Sequence, residues 1–237
     1  MNKLILTTAA FALTAGMSFA DTVRMGTEGA YKPYNYINDD GELDGFEIHL
    51  GDELCKRAGL TCEWVKNDWD SIIPNLVSGN YDTIIAGMSI TDERDEVIDF
   101  TDPYTQPDPS AYMALSADVN LDGAVIAAQT NTIQSGFVAA SGGTLVEFAT
   151  ADETVAAVRS GEADAVLADL NYLLPIVDAE AGLVLLAQQE MIGGGVGMGI
   201  RESDGELRAK FNTAIQSMKA DGSLNALIAE WGVGEKF

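Results

Sequence analysis

Residues 81–94 read Tyr-Asp-Thr-Ile-Ile-Ala-Gly-Met-Ser-Ile-Thr-Asp-Glu-Arg and set one cation beside backbone donors in a chain of formal charge -24. The run from Tyr81 to Met88 is mostly apolar and rich in β-branched residues, which suits a buried strand. Ala86-Gly87 ends it with side chains too small to cover the backbone amides. Ser89 adds a hydroxyl, Thr91 is the expected N-cap ahead of Asp92 and Glu93, and Arg94 falls at the third helical position. Exposed N–H groups, a helix N-terminus and a guanidinium fork together favour a planar oxyanion, because Arg grips a carboxylate through two parallel bonds where Lys is a point charge. Carboxylate reception is the chemistry expected here. The competing reading is an exposed Arg94 paired with Asp92 or Glu96.

The elements that must position this corner follow a strand–helix alternation. Val23–Thr27 reads as a first strand, and 28–33 as a loop opening from its carboxyl end, where α/β sheets carry ligands. Phe46, Leu50 and Leu54 recur every four residues in 43–57, predicting an amphipathic helix that stops before Gly59. Cys62–Val65 is a strand, 70–79 a second helix ended by Gly79, and the Arg94 strand follows, giving βαβαβ. Three prolines in Pro103-Tyr-Thr-Gln-Pro-Asp-Pro-Ser110 interrupt any helix and mark a crossing between lobes. Beyond it the alternation resumes with Gly123–Ala128, a helix over 150–161 and Ala163–Ala168, a second α/β unit. Gly193-Gly-Gly-Val-Gly-Met-Gly199 is flexible enough to cross back; it does not fit G-x-G-x-x-G and opens no helix, which rejects a dinucleotide site. Residues 205–231 read as helices with Leu207, Phe211, Ile215 and Met218 on one stripe.

Composition places the chain outside the cytoplasm. Lys3, the apolar run Leu4–Ala15 and the small-x-small end Ser18-Phe19-Ala20 predict a secretory signal peptide over 1–20. No later segment reaches about 18 uninterrupted apolar residues, and no Cys follows the expected cleavage site for lipid attachment. The mature chain from Asp21 exceeds one typical domain and suffices for two lobes of roughly 100 residues. Cys55 and Cys62, an even pair in an exported chain, predict a disulfide whose small loop contributes roughly 2 to 3 kcal/mol. With His49 the only histidine, neither a metal site nor a cofactor is expected. Thirty-seven acidic residues against thirteen basic ones argue against nucleic acid and anionic lipid as partners.

Taken together, Gly26-Thr-Glu-Gly-Ala-Tyr31, Leu43-Asp-Gly-Phe-Glu-Ile48, Trp69-Asp-Ser-Ile-Ile-Pro74, the 82–94 segment and Glu96-Val-Ile-Asp-Phe-Thr101 resemble the polar amino-acid class of periplasmic solute-binding proteins, the lysine/arginine/ornithine- and opine-binding members in particular. The resemblance implies a type II two-lobed α/β fold, two Rossmann-like lobes joined by two hinge crossings. Lobe 1 would take 21–106 and 196–237 and lobe 2 would take 107–195, with crossings near 106–111 and 190–196. It further implies a monomer in the periplasm that closes on one ligand and delivers it to an inner-membrane ABC permease. Carried over by position, Arg94 takes the ligand's α-carboxylate with the Gly87 and Thr132 amides and the Ser89 hydroxyl, while Asp169 takes the α-ammonium. Tyr31 and Trp69 are the implied aromatic walls around the side chain, and Glu28 answers its distal charge. An arginine-like or other cationic amino acid is the favoured ligand.

Alternatives stay open at this point. Asp169 is also placed to be a helix N-cap, Trp69 to be core, and Glu28 to be an idle surface carboxylate. Gln129-Thr-Asn-Thr-Ile133 replaces the glycine-containing turn usual in the second lobe, Ala86 lacks a hydroxyl found in some binders of basic amino acids, and Gly87 suits glutamine-type binders equally. A neutral polar amino acid or an opine therefore remains an alternative ligand. Dehydratase-like relatives share the architecture, but His49 sits on a helix-surface pattern, so Glu28 is the one obvious base and an enzyme is not expected. A sensor domain would need to present its closed form to another protein.

Overall fold

The computed structural model describes residues 22–237, so the signal peptide expected over 1–20 lies outside the described residues. The first half contains β1 (Val23–Thr27), β2 (Ala30–Tyr31), β3 (Asn35–Ile37), β4 (Leu43–Asp44), α1 (Phe46–Ala58), β5 (Cys62–Lys66), α2 (Ile72–Val77), β6 (Thr83–Ile84), α3 (Asp92–Asp95) and β7 (Asp99–Phe100). There follow β8 (Ser110–Ala114), β9 (Val125–Gln129), α4 (Ile133–Ser141), β10 (Thr144–Phe148), α5 (Ala151–Ser160), β11 (Ala165–Asp169), α6 (Leu170–Ala179) and β12 (Val184–Glu190). The chain closes with β13 (Gly199–Ile200), α7 (Gly205–Asp221) and α8 (Ser223–Trp231).

Two five-stranded sheets, ordered β5-β1-β6-β13-β7 and β10-β9-β11-β8-β12, and a small antiparallel sheet β2-β3-β4 organise these elements. In each five-stranded sheet, parallel strands joined through helices meet one antiparallel strand: β13 against β6 and β7, β8 against β11 and β12. Those antiparallel strands are the ones the chain enters on passing from one sheet to the other. Residues 101–109 lead into β8 and residues 191–198 into β13, and the two segments lie side by side. Tyr104 N–H donates to Val196 O (2.8 Å), Val196 N–H to Thr105 Oγ1 (3.1 Å) and Met198 N–H to Thr101 Oγ1 (3.0 Å). The glycine run permits this approach, since a Cβ on Gly195 would collide with Thr105 O.

Helical periodicity forms the first core. Phe46, Leu50 and Leu54 of α1 are buried against Phe211, Ile215 and Met218 of α7, Leu224 and Ile228 of α8, and Val23 and Met25 of β1. Leu207 packs at the margin of that stripe. Gly59 ends α1 in the left-handed conformation (φ 67). The Cys55–Cys62 disulfide ties the last turn of α1 to β5. On the sheet's other face Trp69, Ile72, Leu76, Tyr81, Ile84 and Met88 make a separate cluster. The second sheet shows period-2 sorting instead: Ala111 and Met113 of β8 face one core, Tyr112 and Ala114 the other, because successive strand side chains point to opposite faces. Among the described residues no helix is long and apolar enough to cross a membrane.

One expectation needs correction. The strand read over 81–88 is reduced to Thr83–Ile84, because Gly87 turns the chain out of the ladder at φ 62 while Met88 stays buried. Upstream, Tyr81 is fully buried over Gly26, its hydroxyl donating to Ile72 O. A Cβ at position 26 would lie 2.6–2.8 Å from that ring. Gly26→Ala is therefore expected to lower stability by about 1 to 3 kcal/mol, read as a fall in the circular-dichroism melting midpoint of roughly 2 to 10 °C.

Candidate functional site

Between the two five-stranded sheets lies a closely packed cavity of ≈ 30 Å³. Its lining includes Glu28, Tyr31, Trp69, Gly87, Ser89 and Arg94 from the first half of the chain, and Thr132 and Asp169 from the second, so all eight residues expected from the sequence meet there. Toward solvent, Trp69, Arg94, Thr132 and Ile133 also border a wider interlobe groove of ≈ 830 Å³.

Arg94 stands where its local sequence puts it. Thr91 caps α3, its hydroxyl accepting the Arg94 N–H (3.2 Å), which fixes Arg94 at the third position of a four-residue helix. Neither Asp92 nor Glu96 pairs with it. The half-buried guanidinium donates to Ser89 O (2.9 Å) and, across the cleft, to Asn131 O (3.3 Å), and lies 5.4 Å from the centre of the Trp69 ring. Among the described residues no carboxylate is within ion-pairing distance of it. Burial pushes the Arg94 pKa down to about 10, which still leaves it charged at neutral pH.

Asp169 ends β11 and occupies the N-cap position of α6, yet its side chain makes no cap bond. Instead Oδ2 accepts the Tyr31 hydroxyl (2.8 Å) and Oδ1 accepts Gln134 Nε2 (2.8 Å). A carboxylate at the carboxyl end of a buried strand is thereby aimed into the cleft rather than at its helix. Burial raises its pKa, with Tyr31, Gln134 and the charge of Arg94 opposing.

Glu28 follows β1 directly and is 5 % exposed, so it is not an idle surface carboxylate. Gln129 reaches from the end of β9 and donates Nε2 to Glu28 Oε1 (2.7 Å). Burial lifts Glu28 to about 7, an effect the Gln129 bond partly offsets. Three residue pairs thus hydrogen-bond across the cleft: Arg94 with Asn131, Tyr31 with Asp169, and Glu28 with Gln129.

Both aromatic residues pack against the protein as well as lining the cavity. Trp69 is 8 % exposed, belongs to a core cluster and also lines the cavity, so core and site are not exclusive. Tyr31 stacks on Tyr172 of α6 with centroids 4.4 Å apart and planes 5° from parallel.

The backbone donors differ more from the sequence reading. Gly87 N–H, expected to be open to a carboxylate, donates to Glu47 Oε1 (2.7 Å). The residue lines the cavity with that amide directed away from it. Thr132 caps α4, its hydroxyl donating to Gln129 O (2.6 Å) and accepting Ser135 N–H (3.2 Å), so what it offers a ligand is backbone. In place of the missing glycine, Asn131 takes the left-handed conformation (φ 56), which asparagine tolerates better than other side chains. Gln129, Gln134, Tyr172 and Glu47 were not anticipated. Glutamines carry no charge and Tyr172 lies inside a helical pattern; the Phe46-Glu47-Ile48 placement at a helix start was the available signal for Glu47.

Known proteins resemble the chain along most of its length. A family model described as bacterial extracellular solute-binding proteins, family 3, matches residues 23–234. The chain is 32 % identical to the histidine-binding periplasmic protein of Escherichia coli (strain K12), covering 98 % of this chain and 97 % of that one. Identity is also 32 % to the L-arginine-binding protein of Pseudomonas aeruginosa, over 84 % of this chain and 83 % of the relative. A crystal structure of a periplasmic His/Glu/Gln/Arg/opine family-binding protein from Silicibacter pomeroyi, in complex with lysine, is 70 % identical and superposes with TM-score 0.87 over 89 % of this chain and 96 % of that one. The two-lobed α/β fold accords with those relatives, and the chain belongs to the bacterial extracellular solute-binding proteins of family 3.

Proposed function

We propose that this chain binds a cationic amino acid in the periplasm and delivers it to an ABC importer of the inner membrane. The observation that carries the reading is the charge balance of the enclosed cavity: Glu28 and Asp169 contribute two carboxylates, Arg94 one guanidinium. An amino acid with a positive side chain carries the complementary set, one carboxylate and two cations. Burying charges this deeply costs several kcal/mol unless each meets an opposite partner, which selects for a ligand that supplies all three. The relatives named for histidine and arginine, and the lysine complex at 70 % identity, support this choice of ligand class.

In this reading Arg94 receives the α-carboxylate beside the Thr132 backbone and the Ser89 hydroxyl, and Asp169, oriented by Tyr31 and Gln134, receives the α-ammonium. Glu28 meets the distal cation through Oε2, because Gln129 engages Oε1. Tyr31 and Trp69 flank the stem between them. Gly87 contributes shape rather than an amide. Because the contacts come from both sheets, the ligand favours the closed arrangement, and the paired crossings at 101–109 and 191–198 are the proposed hinge. Binding and presentation to the permease need no covalent chemistry, so the chain acts as a receptor rather than an enzyme.

Calorimetry with L-arginine and L-lysine tests the assignment. Arg94→Ala is expected to remove roughly 3 to 5 kcal/mol of binding, since the carboxylate would be enclosed without its charge partner; unchanged affinity refutes the role. Glu28→Gln is expected to weaken arginine and lysine by roughly 1.5 to 3 kcal/mol while sparing glutamine, and equal losses for all three would remove the basis for cation selectivity. A bound cation favours ionised Glu28, so binding expels the proton that Glu28 holds below about pH 7. Glu28 should therefore make arginine affinity rise with pH by at most about tenfold per unit up to about 7, a contribution that Glu28→Gln removes, leaving only the slope from Asp169, whose pKa burial also raises.

A further inference from the structure

Under the cavity, outside its lining, sits a carboxylate that no ligand in the proposed reading touches. Glu47 is the second residue of α1 and is 0 % exposed. It does not cap its helix. Its side chain turns into the first lobe, where three donors on three separate segments meet it: Asn35 Nδ2 on Oε2 (2.7 Å), and Gly87 N–H (2.7 Å) and the Tyr104 hydroxyl on Oε1. Asn35 in turn accepts the Gly29 N–H on Oδ1 (2.7 Å). Burial raises the Glu47 pKa, and the three donors oppose that rise.

The far ends of this network are the site itself. Gly29 follows Glu28, and Gly87 lines the cavity between Ala86 and Ser89. Tyr104 lies in the first crossing segment, its own N–H bonded to Val196 of the second. One carboxylate therefore links the loop that answers the ligand's side chain, the turn leading to Ser89 and Arg94, and the paired crossings.

Polarity makes the residue type specific. All three groups facing Glu47 donate, and Asn35 cannot rotate its amide to help, because its oxygen is held by Gly29. Glutamine at 47 would set one NH₂ group against another in a fully buried place, where a mispaired donor is costly.

We infer that Glu47 is the positioning residue of the binding site, holding the Glu28 loop and the Gly87 turn at the spacing a cationic amino acid requires and joining both to the crossing strands at Tyr104. The inference rests on the proposed ligand class, which supplies both the probes and the expected affinity ratio.

The reversed pair Glu47→Gln with Asn35→Asp supplies the test. In the double variant the new amide at position 47 donates its NH₂ to the new carboxylate at position 35, whose other oxygen keeps the Gly29 N–H. The amide oxygen at position 47 keeps Gly87 and Tyr104, so each of the four hydrogen bonds of the network again joins a donor to an acceptor. Calorimetry with L-arginine, L-lysine and L-glutamine on wild type, both single variants and the double variant, beside melting midpoints, reads the outcome. Each single change should weaken arginine by about tenfold or more and lower the arginine-to-glutamine affinity ratio, and the double variant should return both to within about threefold of wild type. Single variants that melt earlier yet keep wild-type affinity and ratio would leave Glu47 a structural residue only and overturn the inference. Should Glu47→Gln fail to fold, a double variant that binds no better than Asn35→Asp overturns it as well. A wild type that takes glutamine and neither cation defeats the ligand reading instead, and Glu47 is then judged on the glutamine affinities of the same variants.

Discussion

Holding a guanidinium half-buried with no ion-pair partner among the described residues is unfavourable, and the arrangement around Arg94 is built to make it tolerable. Two carbonyl oxygens, from Ser89 on its own side and Asn131 across the cleft, accept its hydrogens, and the Trp69 face lies beneath it. Carbonyl dipoles stabilise the cation without neutralising it, so an anion arriving between the lobes still finds a full positive charge. Asp169 stands in the mirror situation: its oxygens accept from Tyr31 and Gln134, and its charge is supported rather than cancelled. A receptor for a dipolar molecule needs that condition at both ends.

In the proposed reading the same contacts would make recognition and closure one event. Arg94, Tyr31 and Glu28 each reach a residue of the other lobe. Tyr31 goes furthest, packing at the edge of both lobes' cores and stacking on Tyr172. Few of these groups can keep their partners when the sheets separate, whereas the crossing segments stay joined by hydrogen bonds between 101–105 and 196–198. In the proposed reading the hinge is this narrow, glycine-permitted seam, about which the two cores would move as units.

Much of this was legible in the sequence because it depends on local order. Four-residue spacing placed α1, Gly59 stopped it, and Thr91 fixed Arg94 at the third position of α3, each decided within one or two turns of chain. The strand before Arg94 was read too long, since an apolar run does not reveal that Gly87 leaves the ladder. Asn131 shows the limit from the other side: the absence of glycine put the second-lobe turn in doubt, while asparagine supplied the left-handed conformation itself.

What the sequence by itself determined was the inventory: one arginine at a helix start, carboxylates at two strand ends, aromatic side chains between them, and two α/β units joined twice. Only the tertiary structure decided how those groups are used. Asp169 bonds Tyr31, 138 positions away, rather than its own helix, and the Gly87 amide is engaged by Glu47, 40 positions before it. Hydrogen-bond partners at such separations are set by how the lobes pack, because a buried donor takes whichever acceptor the packed chain brings within about 3 Å, whatever the residues beside it in sequence.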